Sequence, residues 1–204
     1  MPQRKIPLVS EIFKKTLEQH VDDKVAVGSL LNSLHERGFA LLMALFALPN
    51  CVPVPIPPGI STILGAPLLF FSIQMVLGRD APWLPAWLAK KQIPRSLLAL
   101  AVNKAVPLLQ KAEIILTPRA LFLSSSRGER LVGVSWLIFS LAIASPIPLS
   151  HFVPSMGVML SALGLINRDG AFVFIGLLIG YIGMLITTLV LFFGVELVKQ
   201  IFSF

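Results

Sequence analysis

The chain has 204 residues, room for one domain. Its 55% hydrophobic content and mean hydropathy of +0.84 exceed what a soluble core needs, which excludes an ordinary water-soluble globule and points to a membrane protein. A single cysteine, Cys51, excludes an intrachain disulfide and a cysteine-based metal cluster, and the net charge of +7 marks a chain with strongly basic segments.

Residues 1–37 alternate charged and apolar side chains and lack the short apolar core of a signal peptide. Ile12, Phe13 and Leu17 stand against Lys14, Lys15 and Glu18, and Leu30, Leu31 and Leu34 against Asn32, His35 and Glu36. This pattern predicts amphipathic helices on the cytoplasmic face. From Gly38 to Gly78 there is no Asp, Glu, Lys or Arg, and the run is interrupted by Pro49-Asn50-Cys51-Val52-Pro53-Val54-Pro55-Ile56-Pro57-Pro58-Gly59. As one helix it would extend roughly 60 Å, against a hydrocarbon core of about 30 Å. The segment therefore crosses twice or dips in and returns. Proline lacks a backbone donor and disfavours helix at the residue before it, so the interruption is extended. Such backbone is either covered by protein or lining a wet cavity within the membrane, or it is a turn outside it. The sequence leaves both open.

Residues 81–130 form a linker opened by Ala81-Pro82-Trp83-Leu84-Pro85-Ala86-Trp87, an interfacial pattern with lysines beyond. Residues 79–130 carry nine basic side chains against three acidic ones, and residues 2–37 carry six basic ones. Lys and Arg are retained in cytoplasmic loops, so both segments are expected inside, against anionic lipid head groups and not nucleic acid. Ser96 to Leu116, with Lys104 and Lys111 on one helical face, reads as a helix lying on that surface.

A second charge-free run, Leu131 to Asn167, is interrupted by Ser145-Pro146-Ile147-Pro148-Leu149-Ser150-His151-Phe152-Val153-Pro154. The two runs close alike, in Gly78-Arg79-Asp80 and Asn167-Arg168-Asp169. Paired apolar segments broken by Pro or Gly point to a membrane protein whose site lies where broken helices meet. Gly170 to Val195, free of proline, reads as a plain spanning helix, with Gly176, Gly180 and Gly183 admitting a close neighbour. The expected fold is an all-α membrane protein with two related proline-broken repeats, 38–80 and 131–169, and a final spanning segment, 170–204. The repeats are parallel if the linker is cytoplasmic and inverted if it crosses.

His151 is, with Cys51, the only titratable side chain in either run. A costly group at membrane depth makes His151 a candidate for a substrate or ion pathway, together with Asn50, Pro55, Pro57 and Pro148; a neutral histidine at an extracytoplasmic turn is the alternative. Arg79 and Arg168 are candidates for binding an anion or lipid phosphate through the guanidinium fork, or are simply interfacial anchors. There is no phosphate-binding glycine loop, no zinc-type His pair and no nucleophile elbow. No catalytic residue, metal or cofactor is expected, and an enzyme is disfavoured.

Glu36-Arg37-Gly38-Phe39, Ala47-Leu48-Pro49-Asn50 leading into Pro53 to Gly59, Gly78-Arg79, Pro82-Trp83-Leu84-Pro85, Pro146-Ile147-Pro148 and Arg168-Asp169-Gly170 occur in that order. In this combination, spanning nearly the whole chain from about Leu30, the sequence resembles the ExoD family of bacterial membrane proteins, associated with exopolysaccharide synthesis. It departs at Cys51-Val52, where the family tends toward plain aliphatic residues. The resemblance implies a multi-pass protein of the bacterial inner membrane linked to surface polysaccharide, and brings no catalytic motif. Three functions follow as expectations: a small transporter or channel-like protein, a scaffold binding polysaccharide-assembly proteins, or an enzyme on lipid-linked phosphates. Homo-oligomerisation is left open.

Overall fold

The computed structural model describes residues 24–26, 28, 37–51, 60–94, 121–145 and 151–202. Local sequence explains where the helices start and stop. Helix α1, Arg37–Ala47, is built from strong helix formers and buries Phe39, Ala40, Met43, Ala44 and Ala47. It gives way to a 3-10 turn, Leu48–Cys51, where Pro49 cannot continue the α-helical ladder. Helix α2, Ile60–Val76, ends at Gly78, whose φ of +74° only glycine adopts freely. A short helix α3, Ala86–Ala89, follows.

Helix α4, Ser126–Ala144, is capped by Ser125, whose hydroxyl accepts from the Gly128 N–H. It stops at Ser145, extended at φ −67° and ψ 135° as the residue before a proline should be. Helix α5 spans Phe152–Ile166 and helix α6 Gly170–Phe202. The helical expectation holds, with one addition. Lys24–Ala26 and Gln92–Pro94 form an antiparallel ribbon, β1 and β2, in register Lys24 to Pro94. It ties the N-terminal segment to the linker, and a Cβ on nearby Gly28 would touch Ala89. The expected amphipathic helices around residues 10–19 and 30–36, the helix from Ser96 to Leu116, and Pro55, Pro57 and Pro148 lie outside the described residues.

Helix α1 packs against α5, and α2 against α4. Each broken unit thus lays its helices mainly on those of the other, while its own two helices touch less extensively. The directions are antiparallel. The Thr62 hydroxyl, near the start of α2, donates to the carbonyl of Ala144 at the end of α4 (2.9 Å). At the other end, a Cβ on Gly133 would meet Met75 and Val76. Both proline breaks therefore lie at one end of the bundle, here the proline end. Arg37, Glu129 and Arg168 gather at the opposite, arginine end.

Helix α6 starts at the arginine end and runs back along α5 in the most extensive helix pairing of the fold. Small residues make this approach possible. A Cβ on Gly157 would lie 2.5 Å from the Gly180 Cα, one on Gly164 2.6 Å from the Val173 nitrogen, and ones on Gly176 and Gly183 would strike Ser161 and Val153. The core contains Met43, Leu68, Trp136, Phe139, Ile143, Val158 and Val173, all fully enclosed. Gly170–Val190 of α6, with mean hydropathy 2.4 over 21 residues, is long and apolar enough to cross a membrane. Its outward side chains include Phe174, Leu178, Ile182, Leu185 and Val190, all exposed. The other apolar helices are shorter.

The α5–α6 contact tolerates no added atom at Gly157. Gly157→Ala should lower stability by about 1–3 kcal/mol, because backbone faces the new methyl group and cannot move aside as a side chain would. Thermal unfolding in detergent, compared with the parent protein, checks it.

Candidate functional site

Two buried side-chain atoms stand out at the proline end. Asn50 is fully enclosed in the 3-10 turn, and His151, 4% exposed, is the residue before α5. The Asn50 Nδ2 donates to the Phe46 carbonyl at 3.3 Å. Its Oδ1 and the His151 Nε2 have no hydrogen-bond partner among the described residues. The turn carrying Asn50 packs against α5, so one such group comes from each broken unit at the same end of the fold. His151 does not earn its place as a helix cap, since its side chain bonds no α5 amide. A buried polar group without a partner costs roughly 1–3 kcal/mol, so two at one end of the fold need a reason.

Neighbouring polar groups are, by contrast, satisfied. The Ser155 hydroxyl donates to the His151 carbonyl (2.5 Å), and deeper in the bundle the Trp136 Nε1 donates to Ser161 Oγ (2.8 Å), which donates to the Gly157 carbonyl (2.6 Å). Tyr181 donates to Ser135 Oγ at 2.9 Å while its ring meets Phe139 edge-on. Cys51, half-buried, follows Asn50 directly.

At the arginine end α2 and α5 terminate identically. The Gly78 N–H donates to the Met75 carbonyl and the Arg79 N–H to Gln74; the Arg168 N–H donates to Leu165 and the Asp169 N–H to Gly164. Both are Schellman closures with a left-handed residue, Gly78 at φ +74° and Arg168 at φ +55°. By this bonding Gly78 corresponds to Arg168, and Arg79 to Asp169. The sequence signature that sets Arg79 against Arg168 is one residue out of step, because the left-handed position governs the turn and not the charge.

The two arginines consequently have different surroundings. Arg79 is exposed, with its guanidinium 6.0 Å from the centre of the Trp83 ring. Trp83 is itself held by Gln74, whose side-chain amide accepts from the Trp83 N–H (2.7 Å) and donates to its carbonyl (3.2 Å). Arg168 lines a small recess with Arg37, Ala40, Met75, Glu129 and Leu165, and Arg79 is not among its walls. Asp169 is fully buried and accepts from the Ala171 and Phe172 amides at the start of α6 (3.1 Å each).

Arg37 and Glu129 escaped the sequence reading because each lies just outside a charge-free run. The available signal was that both runs open beside a charged residue. Gln74 gave no signal at all, being one neutral polar residue in an apolar helix. Among the described residues no group of His, Cys, Asp and Glu is placed to hold a metal ion.

Paired broken helices locked by small residues, with polar groups collected at two ends and one long apolar helix alongside, define the class of this protein. No solved structure matches it. The family model for exopolysaccharide synthesis, ExoD, matches residues 9–189, and the chain belongs to that family. It is 33% identical over 153 residues to Protein ExoD of Rhizobium meliloti (strain 1021), covering 73% of this chain and 63% of that protein. It is 30% identical over 181 residues to an uncharacterized protein of Synechocystis sp., covering 88% of this chain and 80% of that one.

The cost of the two unpartnered groups makes a stability prediction. His151→Leu removes a buried unsatisfied nitrogen and no helix cap, so it should leave stability intact or raise it by about 1 kcal/mol. Chemical denaturation in detergent measures it.

Proposed function

We propose that this protein is an integral protein of the bacterial inner membrane that supports exopolysaccharide synthesis as a small transporter or channel-like protein. Its two broken-helix units act as related, parallel repeats around a central pathway. The observation that carries this reading is the pair of buried, unpartnered atoms, Asn50 Oδ1 and His151 Nε2, one from each unit at one end of the bundle. A chain gains nothing in stability by keeping both, whereas a passing solute would satisfy them in turn.

The membrane setting is supported by the apolar Gly170–Val190 segment and by exposed Ile63, Ile73, Leu77 and Leu141 elsewhere in the bundle. Family membership supports the link to exopolysaccharide. The ribbon joining residues 24–26 to 92–94 supports a common cytoplasmic side for the N-terminal segment and the basic linker, which faces anionic lipid. Arg79 and Arg168 serve on this reading as interfacial anchors, consistent with their separate surroundings.

The test is restoration of exopolysaccharide to a deletion strain, with proton and small-solute flux measured in liposomes holding the purified protein. His151→Leu and Asn50→Leu should each abolish both readouts at normal membrane abundance. Arg79→Lys with Arg168→Lys should keep them, because charge is retained. Full activity in the His151 and Asn50 variants would refute the pathway, and lost activity in the double Lys variant would restore the arginines as an anion site.

A further inference from the structure

Helix α6 serves as a ruler for the depth of the breaks. It starts at Gly170 at the arginine end, and Gly183 lies against Val153, two residues from His151. Thirteen residues of helix separate Gly170 from Gly183, a rise of about 20 Å. The charge-free run of α6 continues to Val195, 26 residues in all, enough to cross a hydrocarbon core of about 30 Å. The level of His151 is thus roughly two-thirds of the way across, short of the far interface by about 10 Å. The 3-10 turn bearing Asn50 packs on α5 at that same end, and α6 itself runs on to Phe202.

The chemistry of the two free atoms is defined. The Asn50 amide nitrogen faces a carbonyl, which fixes the amide orientation and leaves Oδ1, an acceptor, unpartnered. The His151 Nε2 accepts or donates according to tautomer. No Lys or Arg occurs from Gly38 to Gly78 or from Leu131 to Asn167, so neither unit offers a cation to an anion at this depth. An anion there would be desolvated opposite an acceptor oxygen, whereas a hydroxyl group would satisfy it.

We infer that both broken units are re-entrant, entering and leaving on the arginine side while α6 alone crosses, and that Asn50 and His151 form an intramembrane site for a small uncharged hydroxyl-bearing group, closed to anions. The inference rests on the membrane reading above and adds depth and ligand class to it.

Cys51 reports on the site without any substitution, being the chain's single cysteine and the neighbour of Asn50. The full protein in membrane vesicles is treated with two thiol reagents that differ in one group, 2-hydroxyethyl and 2-sulfonatoethyl methanethiosulfonate. Taking the ratio of their rates at one cysteine cancels its thiolate fraction. The hydroxyethyl-to-sulfonatoethyl ratio should be at least about tenfold higher at Cys51 than at exposed position 80 in Asp80→Cys on a Cys51→Ser background. In Asn50→Leu the hydroxyethyl rate, referred to that of methyl methanethiosulfonate as a third reagent without a hydroxyl, should fall by about fivefold, because the acceptor is gone. Equal ratios at the two positions would overturn the inference, placing the break outside the bilayer or open to anions. A Cys51 unreactive toward both reagents would overturn it by closing the site to solute, and an unchanged hydroxyethyl rate in Asn50→Leu would overturn the ligand class. Reagent access is read without transport, so absent flux would count against the transporter alone.

Discussion

The cross-pairing of α1 with α5 and α2 with α4 is the constraint on which the rest of this fold depends. A helix ended early by proline leaves carbonyl groups that need cover, and a short helix of 11 to 19 residues buries too little to stand alone. Each unit resolves this by packing on the other. Antiparallel pairing then brings both breaks to one end and both closures to the opposite end, which puts Asn50 beside α5 and gathers Arg37, Glu129 and Arg168 around one recess.

That pairing needs close backbone approach, and the protein obtains it with glycine and serine instead of large apolar interlocks. Gly65 comes within contact of Ala144, and Gly157, Gly176 and Gly180 bring α5 and α6 together. Ser140, Ser155 and Ser161 direct their hydroxyls into carbonyls of the preceding helical turn, so they fill small spaces without leaving a polar atom unpaired. Against such complete satisfaction, Asn50 Oδ1 and His151 Nε2 are conspicuous as exceptions. Stability alone gives no reason to keep these two atoms buried without a partner.

The arginine end illustrates a different division of labour. Gln74 clamps Trp83 and thereby fixes the chain as it leaves α2, while Asp169 caps α6 from a fully buried position. Arg168 holds a left-handed conformation that ordinarily costs an L residue about 1–2 kcal/mol, in a place where α2 uses glycine. The side chain is kept there in spite of the backbone, and it lines the recess with Arg37 and Glu129.

Much of this was written in the sequence. Charge-free runs and proline clusters announced helices, their interruptions and the long α6, because apolar composition and the missing proline donor act locally. His151 and Asn50 were singled out as polar residues in apolar runs, and Gly176, Gly180 and Gly183 as a close-packing face. What the sequence could not determine was partnership. Whether Asn50 Oδ1 finds a donor, whether Arg79 shares a site with Arg168, and which unit covers which helix are settled by contacts between residues far apart in the chain. The one-residue offset between Arg79 and Arg168 shows the limit plainly. Identical-looking letters end both units, but the backbone's need for a left-handed residue selects Gly78 in one and Arg168 in the other, and only the folded turns reveal it.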